Sequence, residues 1–293
     1  MKGQGLFFSI VTAAIFALPA FAANDGITGI QWGRNSKDFD AMPSGPKPLK
    51  NMNRDDRGVA DDHELVGDYR NPILTPYAAA IVKEKGELAI KGGYPTPKEQ
   101  CRPLAPPFSA AIQFDFQILQ KKSGDLAIVY HADNQVRHIR MNGTHPAKLV
   151  PSAMGDSIGH WEGDMLVIDT VGVKGDAFTM IDRFGVPLTE AMHIVERYRQ
   201  IDGARAKADL AKYEESEGVV GGRVNGYNPD TKLTGLRLEV TMEDPKVFTA
   251  PLTGVVTYRR LTFGWREDVC ADNPVEHYKD EWIGLPTANN PDF

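Results

Sequence analysis

Residues 154–170 hold the densest group of side chains that could do chemistry. Within them, residues 155–159 read Gly-Asp-Ser-Ile-Gly, which matches the G-x-S-x-G pattern of serine hydrolases and makes Ser157 a candidate nucleophile. That pattern functions where a strand enters a sharp turn and a helix leaves it. The residues after Gly159 instead predict a turn and then a strand. We therefore favour a turn in which Ser157 bonds nearby backbone, and the hydrolase is a minor alternative.

The same segment offers three residues that could belong to a pocket. Asp156 and His160 could work as an acid–base pair, because a carboxylate and an imidazole can pass a proton between them. Trp161 could form an aromatic wall, although a tryptophan before a tight turn also serves to plug the end of a barrel. Both interpretations stay open on the sequence alone.

A second group of polar residues alternates with apolar residues along predicted strands. In residues 192–201 the two-residue period of a strand puts Glu196 and Tyr198 on one face and His193 on the other. A carboxylate flanked by Ile and Tyr is either paired with a buried arginine or has a raised pKa. The pattern favours the ion pair and leaves the acid–base role open.

Neighbouring strands supply candidate partners for Glu196. Tyr130 lies near the end of predicted strand 125–131, and Arg137 and His138 fall on opposite faces of predicted strand 136–141. If one face of each strand points into a barrel, Tyr130, Glu196 and either Arg137 or His138 would line an aromatic and charged pocket. If these faces point outward, the same residues are ordinary solvated positions.

Short strands make up most of the chain that must position these residues. We predict strands at 111–119, 125–131, 136–141, 165–171, 192–201, 236–243 and 254–262, joined by Gly- and Asn-containing turns. This succession predicts a mainly β fold, an antiparallel meander closed as a calycin- or lipocalin-like barrel, with a sandwich as the alternative. An N-terminal arm and one or two peripheral helices are expected, the first helix at 75–89, where Thr75 can cap and Pro76 suits the first turn.

The N-terminal residues indicate export. Residues 1–22 have the charge, apolar run and small-residue site of a signal peptide, so we expect a periplasmic protein. Residues 23–100 would then form an arm and the helix, and 101–293 the barrel domain, with an insertion at about 204–234. No later stretch reaches the roughly 20 apolar residues of a membrane helix. Cys101 and Cys270 are expected to form a disulfide, with two free thiols as the alternative.

Several classes of function are disfavoured by charge and motifs. The net charge is -6 and the basic residues are scattered, so nucleic acid is not an expected partner. No His-x-His or HExxH spacing is present, and no GxGxxG, P-loop or CxxCH. We therefore expect neither a metal nor a cofactor.

Four runs of residues carry a family resemblance: GDSIGHWEGDMLVIDT at 155–170, RHI at 137–139, HIVERY at 193–198 and VTMEDPKVFT at 240–249. In them the chain resembles a largely uncharacterised family of exported bacterial proteins with a GxSxGxWEGDTLVVDT-like segment. The resemblance spans about residues 100–273 and implies a calycin-like barrel and export, without a catalytic mechanism. RPLAPP after Cys101, where the family tends to have PPGMPR, and the insertion at 207–233 depart from the family pattern.

These observations predict a cofactor-independent lyase or isomerase with decarboxylase-like acid–base chemistry on a hydrophobic or aromatic small molecule. Other calycin-like barrels, such as the phenolic acid decarboxylases, support such chemistry. The candidate catalytic residues are His138, Glu196, His160, Asp156 and His193, and the candidate substrate-binding residues are Tyr130, Arg137, Trp161 and Tyr198. The alternative is a periplasmic binding or carrier protein without catalysis. Assembly into a homo-oligomer stays open.

Overall fold

The computed structural model describes residues 26–36, 38–54, 56, 65–91, 96–97, 101–111, 115–176, 179–216, 234–262, 264–265 and 268–270. The expected signal peptide and residues 217–233 of the expected insertion lie outside this part of the chain. Within it the fold is mainly β, as the sequence predicts.

The described strands are β1 (Gln31–Arg34), β2 (Asp40–Ala41), β3 (Phe116–Gln120), β4 (Leu126–Tyr130), β5 (Val136–Met141), β6 (Asp156–Glu162), β7 (Met165–Val171), β8 (His193–Ile201), β9 (Gly235–Glu243) and β10 (Leu252–Arg260). Nine of them close a barrel in the order β1-β3-β4-β5-β6-β7-β8-β9-β10, because β1 pairs with both β3 and β10. The short β2 adds to β10. The prediction of a closed barrel is confirmed.

One strand pair departs from an antiparallel meander. β5 and β6 run parallel, so residues 142–155 must carry the chain back along the barrel before β6 begins. Asn142 and Gly143 predict a hairpin turn from sequence, and Asn142 does adopt a left-handed φ of 55°. The turn redirects the chain into this crossover segment, and no hairpin forms.

β6 lies where the sequence predicts a turn. The sequence predicts Gly159 in that turn, yet it stands in the middle of this strand. A Cβ added there would lie 2.9 Å from Ile139 Cγ2 and 3.0 Å from Met141 Sδ. The glycine therefore permits close packing of β6 on β5.

The N-terminal arm supplies the strand that closes the barrel. β1 falls within residues 23–100, outside the range assigned to the barrel from sequence. Its Trp32 is fully buried, and the indole N–H donates to Ile27 O at 3.0 Å. The arm is thus part of the barrel wall.

Three helices accompany the described strands: α1 (Pro76–Ile90), α2 (Phe108–Ala111) and α3 (Gly203–Ser216). The helix expected at 75–89 is confirmed as α1, and Thr75 caps it by accepting from Ala78 N. α2 ends at Ala111, the residue at which a strand is predicted to begin. Its Ala110 carbonyl accepts from Tyr258 OH at 2.7 Å, which fixes α2 against the barrel interior.

Alternate strand residues point inward and form one core. Within it the Phe116 ring contacts three tyrosines, with its centroid 6.1 Å from that of Tyr130, 6.1 Å from that of Tyr198 and 5.1 Å from that of Tyr258. Such tilted and edge-on contacts are the favoured geometries of aromatic pairs. The interior is therefore packed with side chains.

Cys101 and Cys270 are joined in a disulfide whose Cα atoms are 5.3 Å apart, as predicted. The bond links the segment before α2 to the segment after β10. None of the helices in the described residues has the length and apolar character to cross a membrane.

Candidate functional site

Arg137 is the centre of a polar cluster inside the barrel. Its Nε donates to Ser157 Oγ at 2.9 Å, and its Nη2 donates to Thr170 Oγ1 and Glu196 Oε2, both at 2.5 Å. The Tyr198 hydroxyl donates to Glu196 Oε1 at 2.8 Å. One guanidinium thus joins side chains of β5, β6, β7 and β8.

Tyr130 completes this lumen cluster, because its hydroxyl accepts from Arg137 Nη1 at 3.4 Å. The period of two predicts one pocket for Tyr130, Glu196 and either Arg137 or His138 if these strand faces point into the barrel. The structure brings Tyr130, Arg137, Glu196 and Tyr198 together and directs His138 outward.

The lumen cluster is closed to solvent. Arg137 is 1% exposed and Glu196 0%. Burial acts to lower the pKa of Arg137, but the nearby Glu196 carboxylate raises it, so the guanidinium stays charged. Burial raises the pKa values of Tyr130 and Tyr198, which therefore stay protonated. This arrangement stabilises a buried ion pair, and a substrate would have to displace existing partners to use it.

Two of the predicted catalytic histidines lie apart on the outer face. His138 Nδ1 is 3.0 Å from Lys121 Nζ, and His160 Nε2 is 3.0 Å from Glu162 Oε1. These contacts are exposed. The structure therefore does not bring either histidine to Glu196, because adjacent strand residues point to opposite sides of the wall.

Asp156 and His193 belong to a charged row on the outer face. Asp156 accepts from both Nη atoms of Arg140, at 2.8 and 2.9 Å, and its Oδ1 is 2.6 Å from His145 Nδ1. His145 Nε2 and His193 Nε2 lie 3.1 and 3.0 Å from Asp169 Oδ1. His145 was not predicted. It ties the crossover segment 142–155 to β6 and β7.

Burial acts to raise the pKa of Asp156, but hydrogen bonds from Arg140 and His145 lower it below its usual range. The expected Asp156–His160 pair is not formed. Both residues lie on β6, and Asp156 is engaged by Arg140 and His145 instead.

Ser157 and Trp161 also lie on β6. Ser157 is buried, and its hydroxyl contacts Arg137 and Thr170. A strand continues after it, so the strand–turn–helix geometry of a hydrolase elbow is not present at this serine. Trp161 is partly buried and packs against the core, as expected for a residue that covers the barrel interior.

A solvent-accessible cleft of about 320 Å³ lies between α1 and a wall formed by residues 175–176 and 179–190, called here the 175–190 wall. Tyr77, Ile81 and Lys85 line it from α1. These residues are four apart, so they form one stripe on the helix. This four-residue spacing can be recognised in the sequence, but it does not show which surface of the protein the stripe faces.

Two lysines border this α1 cleft. Lys246 Nζ lies 4.4 Å from the centroid of the Tyr77 ring, a cation–π distance. Lys85 is half-buried, and burial lowers the pKa of its ammonium despite the opposing effect of Glu84. Its stem lies over Gly185, where φ is +82° and an added Cβ would lie 2.6 Å from Lys85 Cγ. The glycine makes room for the lysine.

Asp244 connects the opposite walls of the α1 cleft. Its Oδ1 accepts from Lys246 N at 2.9 Å, and its Oδ2 accepts from Thr189 Oγ1 at 2.6 Å. The helix cap Thr75 also donates through Oγ1 to Lys246 O at 2.6 Å. Lys246 is thereby held between α1 and the 175–190 wall.

Among the described residues, no group of three or more His, Cys, Asp or Glu is arranged to hold a metal ion. Comparison of the chain with protein-family models, with curated proteins and with solved structures gives no significant match. The function must therefore be inferred from the sites themselves.

Proposed function

We propose that this protein binds a small organic carboxylate with a hydrophobic or aromatic body in the α1 cleft, without transforming it. One observation carries the proposal: Lys85 and Lys246 border the same accessible cleft beside Tyr77. A carboxylate placed between two ammonium groups gains charge-assisted hydrogen bonds.

The remaining lining suits the body of such a ligand. Ile81, Pro187 and Leu188 present apolar surface, and a cleft of about 320 Å³ matches the lower range of small-molecule sites. Asp176 and Glu190 also line the cleft and can accept from a ligand hydroxyl or amine. Apolar walls with a few polar groups are the usual composition of a binding pocket.

We place this binding protein in the periplasm. The Cys101–Cys270 disulfide supports this location, because disulfides persist in oxidising compartments. The signal-like residues 1–22 support it as well. A periplasmic binding protein of this kind would deliver its ligand unaltered.

Calorimetric titration tests the proposal. Aromatic carboxylates such as benzoate and hydroxybenzoates are titrated into the protein, and the corresponding amides serve as uncharged controls. We expect saturable binding of the acids alone. Lys85→Gln and Lys246→Gln should each weaken it about tenfold, which is the effect of losing one charge-assisted contact.

Lys83→Gln is the matched control, because Lys83 lies on α1 but pairs with Glu87 outside the cleft. It should bind like the wild type. Equal binding of acids and amides, or equal weakening by all three substitutions, would overturn the assignment of this cleft.

The lumen cluster favours a second candidate, a lyase that removes carbon dioxide from an aromatic acid. Arg137 would hold the carboxylate or a phenolate, and the Glu196 carboxylate would first take the proton of a phenol hydroxyl on the substrate. The carbon–carbon bond would then break with release of carbon dioxide, and the carbon that keeps the electron pair would take that proton back from Glu196. The convergence of Arg137, Glu196 and two tyrosines supports this candidate. Its active site would have to open, because these side chains are buried.

This candidate is tested by following the ultraviolet spectra of conjugated aromatic acids with the wild type, Glu196→Gln and Tyr198→Phe. The lyase predicts spectral change and released carbon dioxide with the wild type, and loss of turnover in variants that remain folded by circular dichroism. Unchanged spectra throughout would eliminate the lyase and leave the binding protein.

A further inference from the structure

A second cleft adjoins the α1 cleft. It measures about 300 Å³ and shares Asp176 and Thr179 with the first, so the two meet along these residues. Arg102 and Lys174 line the second cleft. Each cleft therefore has two cationic side chains of its own.

The charge around the joined clefts is opposite to that of the whole chain. Among the described residues that line the two clefts, Lys85, Lys246, Arg102 and Lys174 give four positive charges, and Asp176 and Glu190 give two negative ones, of which Asp176 is paired with Arg102. The chain itself carries a net charge of -6. A local excess of cations along an elongated depression favours a ligand with more than one anionic group.

The cations of the second cleft stand on anchored backbone. Arg102 follows disulfide-bonded Cys101, and its N–H donates to Pro97 O at 2.9 Å. Lys174 N donates to Ser152 O at 2.8 Å. Anchoring of this kind reduces the ordering cost of binding.

The wall between these cations is also held in place. Thr179 Oγ1 donates to Lys174 O at 3.2 Å and to Asp176 Oδ1 at 2.9 Å. Asp176 Oδ2 also lies 3.6 Å from Arg102 Nη1, as an ion pair. These contacts set the second pair of cations beside the boundary of the two clefts.

We propose that the ligand is a dicarboxylate that spans both clefts, with one carboxylate between Lys85 and Lys246 and the other at Arg102 and Lys174. This inference rests on the proposed binding function and specifies its ligand class. The spacer of the ligand would cross the shared boundary at Asp176 and Thr179. Pro103 and Ala105 give the second cleft apolar wall for that spacer.

The proposal makes the binding affinity depend on the length of the spacer, which can be measured. Once the first carboxylate is bound, binding of the second becomes intramolecular and is favoured only if the spacer spans the two sites. We therefore expect affinity to rise with spacer length, reach a maximum and fall again. At the optimum a dicarboxylate should bind about tenfold or more tightly than the monocarboxylate of equal length.

The experiment titrates straight-chain dicarboxylates of increasing length, and the matching monocarboxylates, into the wild type and variants of the full chain. Lys174→Gln and Arg102→Gln should weaken dicarboxylate binding about tenfold and leave monocarboxylate binding unchanged. Lys85→Gln should weaken both. Lys122→Gln, in the exposed turn between β3 and β4, is the control and should change neither.

Three results would count against the inference. If dicarboxylates of all lengths bind no more tightly than monocarboxylates, the second carboxylate has no site and the inference is overturned while the binding function stands. The same holds if Lys174→Gln and Arg102→Gln weaken neither class. If the wild type binds neither class, the proposed function fails together with the inference.

Discussion

The Asp244 carboxylate accepts a 2.6 Å hydrogen bond from Thr189 Oγ1, across the α1 cleft from the helix. The same buried carboxylate accepts from the backbone N–H of Lys246. One side chain therefore sets the spacing between the wall that carries Thr189 and the turn that carries Lys246. Asp244 is in this sense a positioning residue for the cleft.

Thr189→Val should remove one hydrogen bond to a charged group while keeping the shape of the side chain. We expect a loss of about 1–2 kcal/mol in the free energy of unfolding, measured by urea denaturation. Binding of aromatic carboxylates should weaken as well, because Lys246 loses its fixed position relative to the opposite wall. Unchanged stability and unchanged affinity would show that this bond does not position the cleft.

Glu196→Gln should destabilise the barrel by about 3 kcal/mol, because it leaves the Arg137 guanidinium buried beside an uncharged group. The double variant Arg137→Met with Glu196→Leu should cost less than either of its single substitutions. Apolar residues of similar volume need no compensating charge. Chemical denaturation of the wild type, Arg137→Met, Glu196→Leu and the double variant forms a double-mutant cycle, and additive losses would contradict the buried-pair interpretation.

Asp182 should make stability fall as pH rises. Burial raises the pKa of its carboxyl to about 7, although the backbone N–H groups of Val186 and Phe184 act to lower it. The folded state therefore holds this proton more tightly than the unfolded state. The favourable contribution is complete below about pH 4 and is lost between about pH 4 and 7.

Asp182→Asn keeps an oxygen that can accept from the same two N–H groups, but it does not ionise. We expect the variant to match the wild type near pH 4 and to be more stable by about 2–4 kcal/mol above pH 7. Thermal denaturation across this pH range measures the difference. A difference that does not change with pH would contradict the raised pKa.

His145→Ala should release the crossover segment 142–155 from the outer face, because His145 bridges Asp156 and Asp169. The side chains are partly exposed, so we expect a loss of only about 1 kcal/mol in stability. Faster hydrogen exchange confined to residues 142–155 should accompany it. His138→Ala, on the exposed face of β5, is the control and should leave exchange in this segment unchanged.

Local sequence patterns were sufficient to predict a large part of the fold. Strands β5 and β7 coincide with the predicted segments 136–141 and 165–171, and the Thr75 cap identifies α1. Period-two alternation also put Arg137 and Glu196 on faces that prove to be buried together. β1 escaped prediction because four residues within a Gly- and Asp-rich arm carry too little pattern to be recognised.

For the candidate sites too, the sequence could predict some features and not others. His145 lies in a segment with no regular pattern, and only the parallel pairing of β5 and β6 brings it over Asp156 and Asp169. The predicted pairing of Asp156 with His160 assumed a turn where β6 continues as a strand. The mistake came from glycine, which occurs in turns and equally where two strands pack closely.

The sequence by itself determined which residues alternate, where α1 begins and that two cysteines were available for a disulfide. These properties depend on neighbours a few positions apart, so they can be recognised along the chain. Only the tertiary structure decided that Lys85 and Lys246 share a cleft. They stand far apart in the chain, and they line one cleft because the hydrogen bonds of Thr75 and Asp244 hold α1, the 175–190 wall and Lys246 together.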